Sequence, residues 1–198
     1  MNKILNIFFD IGGVLILQPK IDWTINDYKL GLPPGETKRI VNDCYKKRTI
    51  DKNFNEREYF EQNYGPLISW EEYQNILNEF FLREEINKPL LDWIKIKRQE
   101  GYTVCALTNN TVGLARVLEK KKMMGVFDRI FNSAEIGFAK PDPRLFQHVL
   151  DELQTHAEAC FFVDDNERNI EAARELGFCV LTFNNNDDFF VKVMALKL

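Results

Sequence analysis

Ile7-Phe8-Phe9-Asp10-Ile11-Gly12-Gly13-Val14 sets the fold class. Together with Ile4 and Leu5 upstream, interrupted only by Asn6, it forms an apolar run over residues 4–9 that stops on a carboxylate and two glycines. The run is too short to cross a bilayer and too continuous for a strand with one wet face, so it reads as a strand buried on both sides. Similar runs return at residues 102–107, ending in Thr108-Asn109-Asn110, at 159–163, ending in Asp164-Asp165-Asn166, and at 178–183. Helical periodicity fills the gaps. Residues 88–99 carry Leu90, Leu91, Ile94 and Ile96 before Gly101, and residues 143–153 start on Pro143 with Leu145, Phe146, Val149, Leu150 and Leu153 on one face. Residues 112–122 and 167–176 complete the set, the latter stopped by Gly177. This alternation predicts an α/β fold with a doubly wound, Rossmann-like parallel sheet.

Residues 18–86 follow a different rule. They show no strand-helix alternation, and 35–45, 55–64 and 69–82 read as amphipathic helices punctuated by Pro33-Pro34-Gly35 and Gly65-Pro66. Ser69 and Glu72 have the spacing of a capping box. The expected organisation is a core from residues 1–17 and 87–198, with an inserted helical cap from 18 to 86.

Composition narrows the function classes. An apolar share of 45% in 198 residues supports a packed core and excludes a disordered chain. A net charge of -4 gives no electrostatic case for nucleic acid or an anionic membrane surface, so an anionic ligand needs local positive charge or a metal. Asp10 interrupts the first apolar run and no small-residue cleavage site follows it, which favours a strand over a signal peptide and a cytoplasmic protein. Cys44, Cys105, Cys160 and Cys179 are widely spaced without a CxxC pair, as reduced core thiols would be.

Open parallel sheets bind ligands at the carboxyl ends of their strands. Asp10, Thr108 and the Asp164-Asp165 pair should therefore meet in space. A carboxylate such as Asp10 can attack phosphorus, and Gly12 and Gly13 let backbone groups approach a phosphate. Thr108 and Asn109 offer hydroxyl and amide donors, and Lys140 offers a compact cation for a developing anion. Two adjacent acids at a strand end repel unless a cation joins them, and a hard cation such as magnesium suits them. Each feature also has an ordinary reading: a turn Asp, helix-starting Thr and Asn, a solvated lysine, an N-cap. His148 and His156 support no triad, Trp23, Trp70 and Trp93 read as packing, and Arg48 beside Lys46 and Lys47 reads as a solvated helix end.

Taken in order, the segments resemble the four motifs of the haloacid dehalogenase superfamily. Asp10-Ile11-Gly12-Gly13-Val14 is similar to the first, Thr108-Asn109 to the second, Lys140-Pro141 to the third and Asp164-Asp165 to the fourth. The resemblance spans nearly the whole chain, with a cap of the family's first type. It implies Asp10 as nucleophile and magnesium ligand, a metal-binding carbonyl at Gly12, and phosphate binding by Thr108 and Asn109. It further implies Lys140 holding the nucleophile and the phosphoryl oxygens, Asp165 as direct Mg2+ ligand, and Asp164 supporting it. Gly12 departs from the family's phosphatases, most of which carry a second Asp there as general acid and base. Some relatives lack it too. The expected activity is hydrolysis of a small phosphorylated metabolite, with sugar phosphates among the candidates, by a monomer or weak homodimer. The alternatives are a dehalogenase, and a phosphate-ligand binding or regulatory protein that lost turnover with its acid. If another group supplies the proton, Asp22 near the cap entrance is a candidate.

Overall fold

The computed structural model describes residues 3–198. Five strands form one parallel sheet: β1 (Asn6–Phe9), β4 (Thr103–Thr108), β5 (Arg129–Asn132), β6 (Cys160–Asp164) and β7 (Cys179–Thr182). Their spatial order is β5-β4-β1-β6-β7, which places β1 at the centre. Phe9 lies in register with Ala106 on one side and with Val163 on the other. The chain leaves β1 for one half of the sheet and later returns to the other half. Asp10 thus stands where the direction of winding reverses, the crevice position of doubly wound sheets.

Alternation along β1 explains the two layers of core. Ile7 and Phe9 face a cluster built with α5 (Lys88–Gln99), α6 (Leu114–Lys120) and α10 (Asn186–Ala195). Phe8 points the other way, into a cluster with α8 (Pro143–Leu153) and α9 (Glu167–Glu175). The doubly wound α/β prediction holds. A short helix, α7 (Ser133–Ile136), follows β5. Cys44, Cys105 and Cys160 are buried, Cys179 is half-buried, and all four thiols are free.

Residues between β2 (Ile16–Leu17) and β3 (Glu85–Ile86) are helical: α1 (Trp23–Leu30), α2 (Glu36–Arg48), α3 (Glu56–Asn63) and α4 (Trp70–Leu82). They share a separate apolar cluster around Ile40, Cys44, Phe60 and Tyr73. The Ser69–Glu72 capping box is present at the start of α4. The α2 helix begins on Gly35 and is capped from a distance: buried Asp27 on α1 accepts the backbone N–H groups of Gly35 (2.6 Å) and Thr37 (2.8 Å). At the two crossings, β2 and β3 pair antiparallel, with Ile16 opposite Ile86. Buried Asn87 reinforces the junction by donating to the Val14 carbonyl (2.9 Å) and to Asn186 Oδ1 (2.9 Å). Among the described residues, no helix is long and apolar enough to cross a membrane.

Candidate active site

The site is built on the ends of three neighbouring strands. Asp10 ends β1, its backbone N–H donating to the Val163 carbonyl (2.9 Å). One carboxylate oxygen accepts the Ile11 N–H (2.7 Å), which holds the side chain at the mouth of the turn. Gly13 has φ 78°, in the left-handed region, and a β-carbon there would collide with the Asp165 carboxylate. Only glycine lets β1's turn and β6's second acid approach this closely.

Lys140 is fully buried and is the hub. Its ammonium lies 3.1 Å from Asp10 Oδ1 and donates to Asp164 Oδ2 (2.6 Å) and to the Leu107 carbonyl (2.7 Å). Burial works against its charge, but Asp10 and Asp164 outweigh that and leave its pKa raised. Burial pushes the Asp10 carboxyl up to about 7, with Lys140 opposing the rise and Asp164 and Asp165 adding to it. Asp165 is raised by burial and by Asp164, against a smaller pull from Lys140.

The two adjacent acids at the end of β6 differ in kind. Asp164 is fully buried and saturated: Oδ1 accepts the Asn166 N–H (2.8 Å), Oδ2 accepts Lys140, and the Asn169 amide bridges both oxygens at 3.0 and 3.1 Å. Asp165 is exposed as a residue, but its carboxylate turns back against Gly13 and is partly desolvated there. One carboxylate oxygen from each of Asp10, Asp164 and Asp165 lies within 4.8 Å of the others. Such a cluster around one lysine carries excess negative charge, which suits a hard divalent cation. The Gly12 carbonyl accepts no hydrogen bond among the described residues.

Thr108 ends β4 and is buried next to Asp10's strand. Asn109 is placed differently from the expected phosphate donor. Its amide donates to the Lys140 carbonyl (2.8 Å) and its Oδ1 accepts the Lys140 N–H (2.8 Å). The side chain therefore clamps the loop that carries Lys140, and what it could offer a phosphate is its main chain. Asp10, Lys140, Asp164 and Asp165 meet directly, Asn109 joins them through the Lys140 main chain, and Thr108 ends the strand beside β1.

Sequence reasoning missed Asn169, a buried amide on α9 that holds Asp164. It also missed Tyr45, whose hydroxyl donates to the Asn109 carbonyl, and Ser133, whose hydroxyl donates to the Thr49 carbonyl (2.5 Å). Both bonds tie the end of α2 to the sheet. Arg48 is not a solvated helix end: it is largely buried and bonds Glu56 through Nη1 at 3.1 Å. Asp22 caps α1, its Oδ1 accepting the Thr24 N–H (3.0 Å) and the Thr24 hydroxyl (2.6 Å).

The sequence profile of haloacid dehalogenase-like hydrolases matches residues 4–177. D-ribitol-5-phosphate phosphatase from Bacteroides thetaiotaomicron is 26% identical over 199 residues, covering 93% of this chain and 94% of that one. Bifunctional epoxide hydrolase 2 from Sus scrofa is 25% identical over 205 residues, which cover 90% of this chain; the chain spans only 36% of that relative's length. A crystal structure of a mutant haloacid dehalogenase family enzyme from Bacteroides thetaiotaomicron, in complex with magnesium and inorganic phosphate, superposes with a TM-score of 0.72 at 26% identity. The superposition covers 94% of this chain and 99% of that one. With this match over most of its length and this sheet beneath it, the chain belongs to the haloacid dehalogenase-like hydrolase family.

Proposed function

We propose that the chain is a phosphatase that hydrolyses a small phosphomonoester through an aspartyl-phosphate on Asp10. The observation that carries this reading is the Asp10 carboxylate at the end of the central strand, 3.1 Å from the buried Lys140 ammonium and grouped with Asp164 and Asp165. In the first step an Asp10 oxygen attacks phosphorus, the ester P–O bond breaks, and the alcohol oxygen leaves with the electron pair. In the second step water attacks the same phosphorus, the bond to Asp10 breaks, and phosphate leaves while the carboxylate is restored. Lys140 holds Asp10 in place and offsets negative charge on the phosphoryl oxygens, with Thr108 and the Asn109 main chain as further donors.

Asp10, Asp165 and the Gly12 carbonyl would hold Mg2+, with Asp164 and Asn169 fixing the loop behind them. The ion supplies charge neutralisation that lets a phosphate dianion approach three carboxylates. The phosphatase relative and the magnesium-phosphate complex of a second relative support the same reading. The dehalogenase alternative attacks carbon without a cation and has no use for this excess of carboxylates. We assign residues 18–86 as a cap over a core of residues 1–17 and 87–198. The Tyr45–Asn109 and Ser133–Thr49 hydrogen bonds, which join these two parts, support that assignment, and a cap held there would keep water from the reacting phosphate.

Chelation tests the reading. Excess chelator should abolish turnover of 4-nitrophenyl phosphate, added magnesium should restore it, and Asp165→Ala should lower it by about a hundredfold or more. Full activity in chelator contradicts the assignment.

A second prediction concerns position 12, where no side chain can donate a proton to the departing alcohol. Rates should fall steeply as the leaving group becomes more basic. Gly12 lies outside the left-handed region, and a β-carbon there would meet only Gln18 Nε2, at 3.0 Å, the movable end of an exposed side chain. Gly12→Asp is therefore accommodated. It should flatten the leaving-group dependence and raise rates on alkyl phosphates by up to about a hundredfold. A series of esters of graded leaving-group pKa, run on both proteins, reads this out; a flat series in the wild type shows that another group already supplies the proton.

A further inference from the structure

A cavity of about 510 Å³ opens beside Gly12, between the sheet and the helices that follow β2. Its walls include Ile21, Trp23, Val41, Phe80, Phe81 and Val117. Phe80 and Phe81 meet edge to face, with ring centres 5.7 Å apart, and neither belongs to the apolar cluster that holds the four helices together. Phe81 is 45% exposed in the last turn of α4, beside exposed Leu82, whereas Tyr73, Ile76 and Leu77 earlier in the helix are buried. These two rings are placed to meet a ligand.

Some of the polar groups around the cavity are committed elsewhere. Arg48 is bonded to Glu56 through Nη1, while its buried Nε has no hydrogen-bond partner among the described residues. The Tyr45 hydroxyl is taken by the Asn109 carbonyl, and Glu84 is paired with Lys121 at 3.1 Å. Asn110 Oδ1 accepts the Thr111 N–H (2.8 Å), and Thr111 Oγ1 accepts the Gly113 N–H (3.2 Å). Among the described residues, Gln18, Lys38 and Asn42 make no side-chain hydrogen bond or ion pair and are exposed, and Asn110 Nδ2 also lacks a partner. Between these groups the walls are hydrocarbon, and a substrate's hydrocarbon body gains from burial against them.

We infer that the substrate's alcohol part is apolar, and that Phe80 and Phe81 select it against polyol phosphates. This rests on the phosphomonoesterase reading, and it turns away from the sugar phosphates that the sequence left among the candidates. The decisive pair is n-pentyl phosphate and D-ribitol 5-phosphate, which share a five-carbon chain and a primary ester and differ in their hydroxyls. Magnesium-dependent turnover of 4-nitrophenyl phosphate is measured first, on the full chain. The kcat/KM for n-pentyl phosphate should exceed that for D-ribitol 5-phosphate by at least about tenfold, and should rise about threefold to fourfold per methylene from ethyl to pentyl phosphate. Phe80→Ser and Phe81→Ser should each reduce both the ratio and the slope; Phe81, being half-exposed, can be replaced without opening the helical cluster. A protein that hydrolyses 4-nitrophenyl phosphate yet prefers D-ribitol 5-phosphate, or shows no slope, overturns the inference alone. No turnover of any ester overturns the phosphomonoesterase reading and this inference with it.

Discussion

Asp10→Asn should lower phosphatase turnover by at least about ten-thousandfold while leaving the fold intact, because the amide is nearly isosteric and a poor nucleophile. The same change should stabilise the metal-free protein. The Asp10 carboxyl is held up to about 7 by burial and by its acidic neighbours, against Lys140, so its ionised form opposes folding. The folded-state pKa lies above the unfolded value of 3.8. The penalty is therefore absent below that value, grows through the interval up to about 7, and is full above it. In excess chelator at pH 8, the Asn variant should melt roughly 2–4 °C above wild type, and the gap should close as the pH falls below 5. A variant melting below wild type at pH 8 contradicts this account of the site's electrostatics.

Lys140→Met should have the second largest effect, on both activity and stability. The ammonium is fully buried between Asp10 at 3.1 Å and Asp164 at 2.6 Å. Removing it leaves two carboxylates facing each other without compensation, which typically costs about 3–5 kcal/mol when a buried pair is broken. Turnover should fall by about a hundredfold to a thousandfold with the loss of a charge aimed at the phosphoryl group. Because Lys140's pKa is raised, its contribution to the wild type is complete at neutral pH and is lost only as the pH climbs through that raised value. The variant should be worst above pH 7 and recover in acid, as Asp10 takes up a proton. Asp10→Asn should raise the stability of the Lys140→Met variant by more than it raises that of the wild type, and equal gains in the two backgrounds would contradict the coupling.

The fold and much of the crevice were legible because each strand that matters ends abruptly on polar residues. Asp10, Thr108 and Asp164 follow apolar runs, so a parallel sheet alone brings them together. Helices α5 and α8 run over the residues that the apolar spacing predicts. The fifth strand was not legible: Arg129-Ile130-Phe131-Asn132 is four residues long at the sheet's edge, and half of it faces solvent. The α1 helix was missed because Asp27 is its one buried residue, which leaves no apolar stripe to read. Asn169 could not be found because an amide on a helix looks the same in sequence whether it faces water or a buried carboxylate. Asn109 was expected to face phosphate; its clamp on Lys140 depends on a loop 31 residues away. The cavity is assembled from separate segments, and its polarity depends on which side chains have already found partners, a matter of pairing that composition does not carry.

The central claim is a covalent one, and it is tested most directly by mass spectrometry of rapidly quenched protein during turnover of 4-nitrophenyl phosphate with magnesium. The account predicts a phosphoryl group on the peptide that contains Asp10, formed within one turnover and absent from Asp10→Asn. Turnover with no adduct on that peptide, or with the phosphoryl group on another residue, would contradict it.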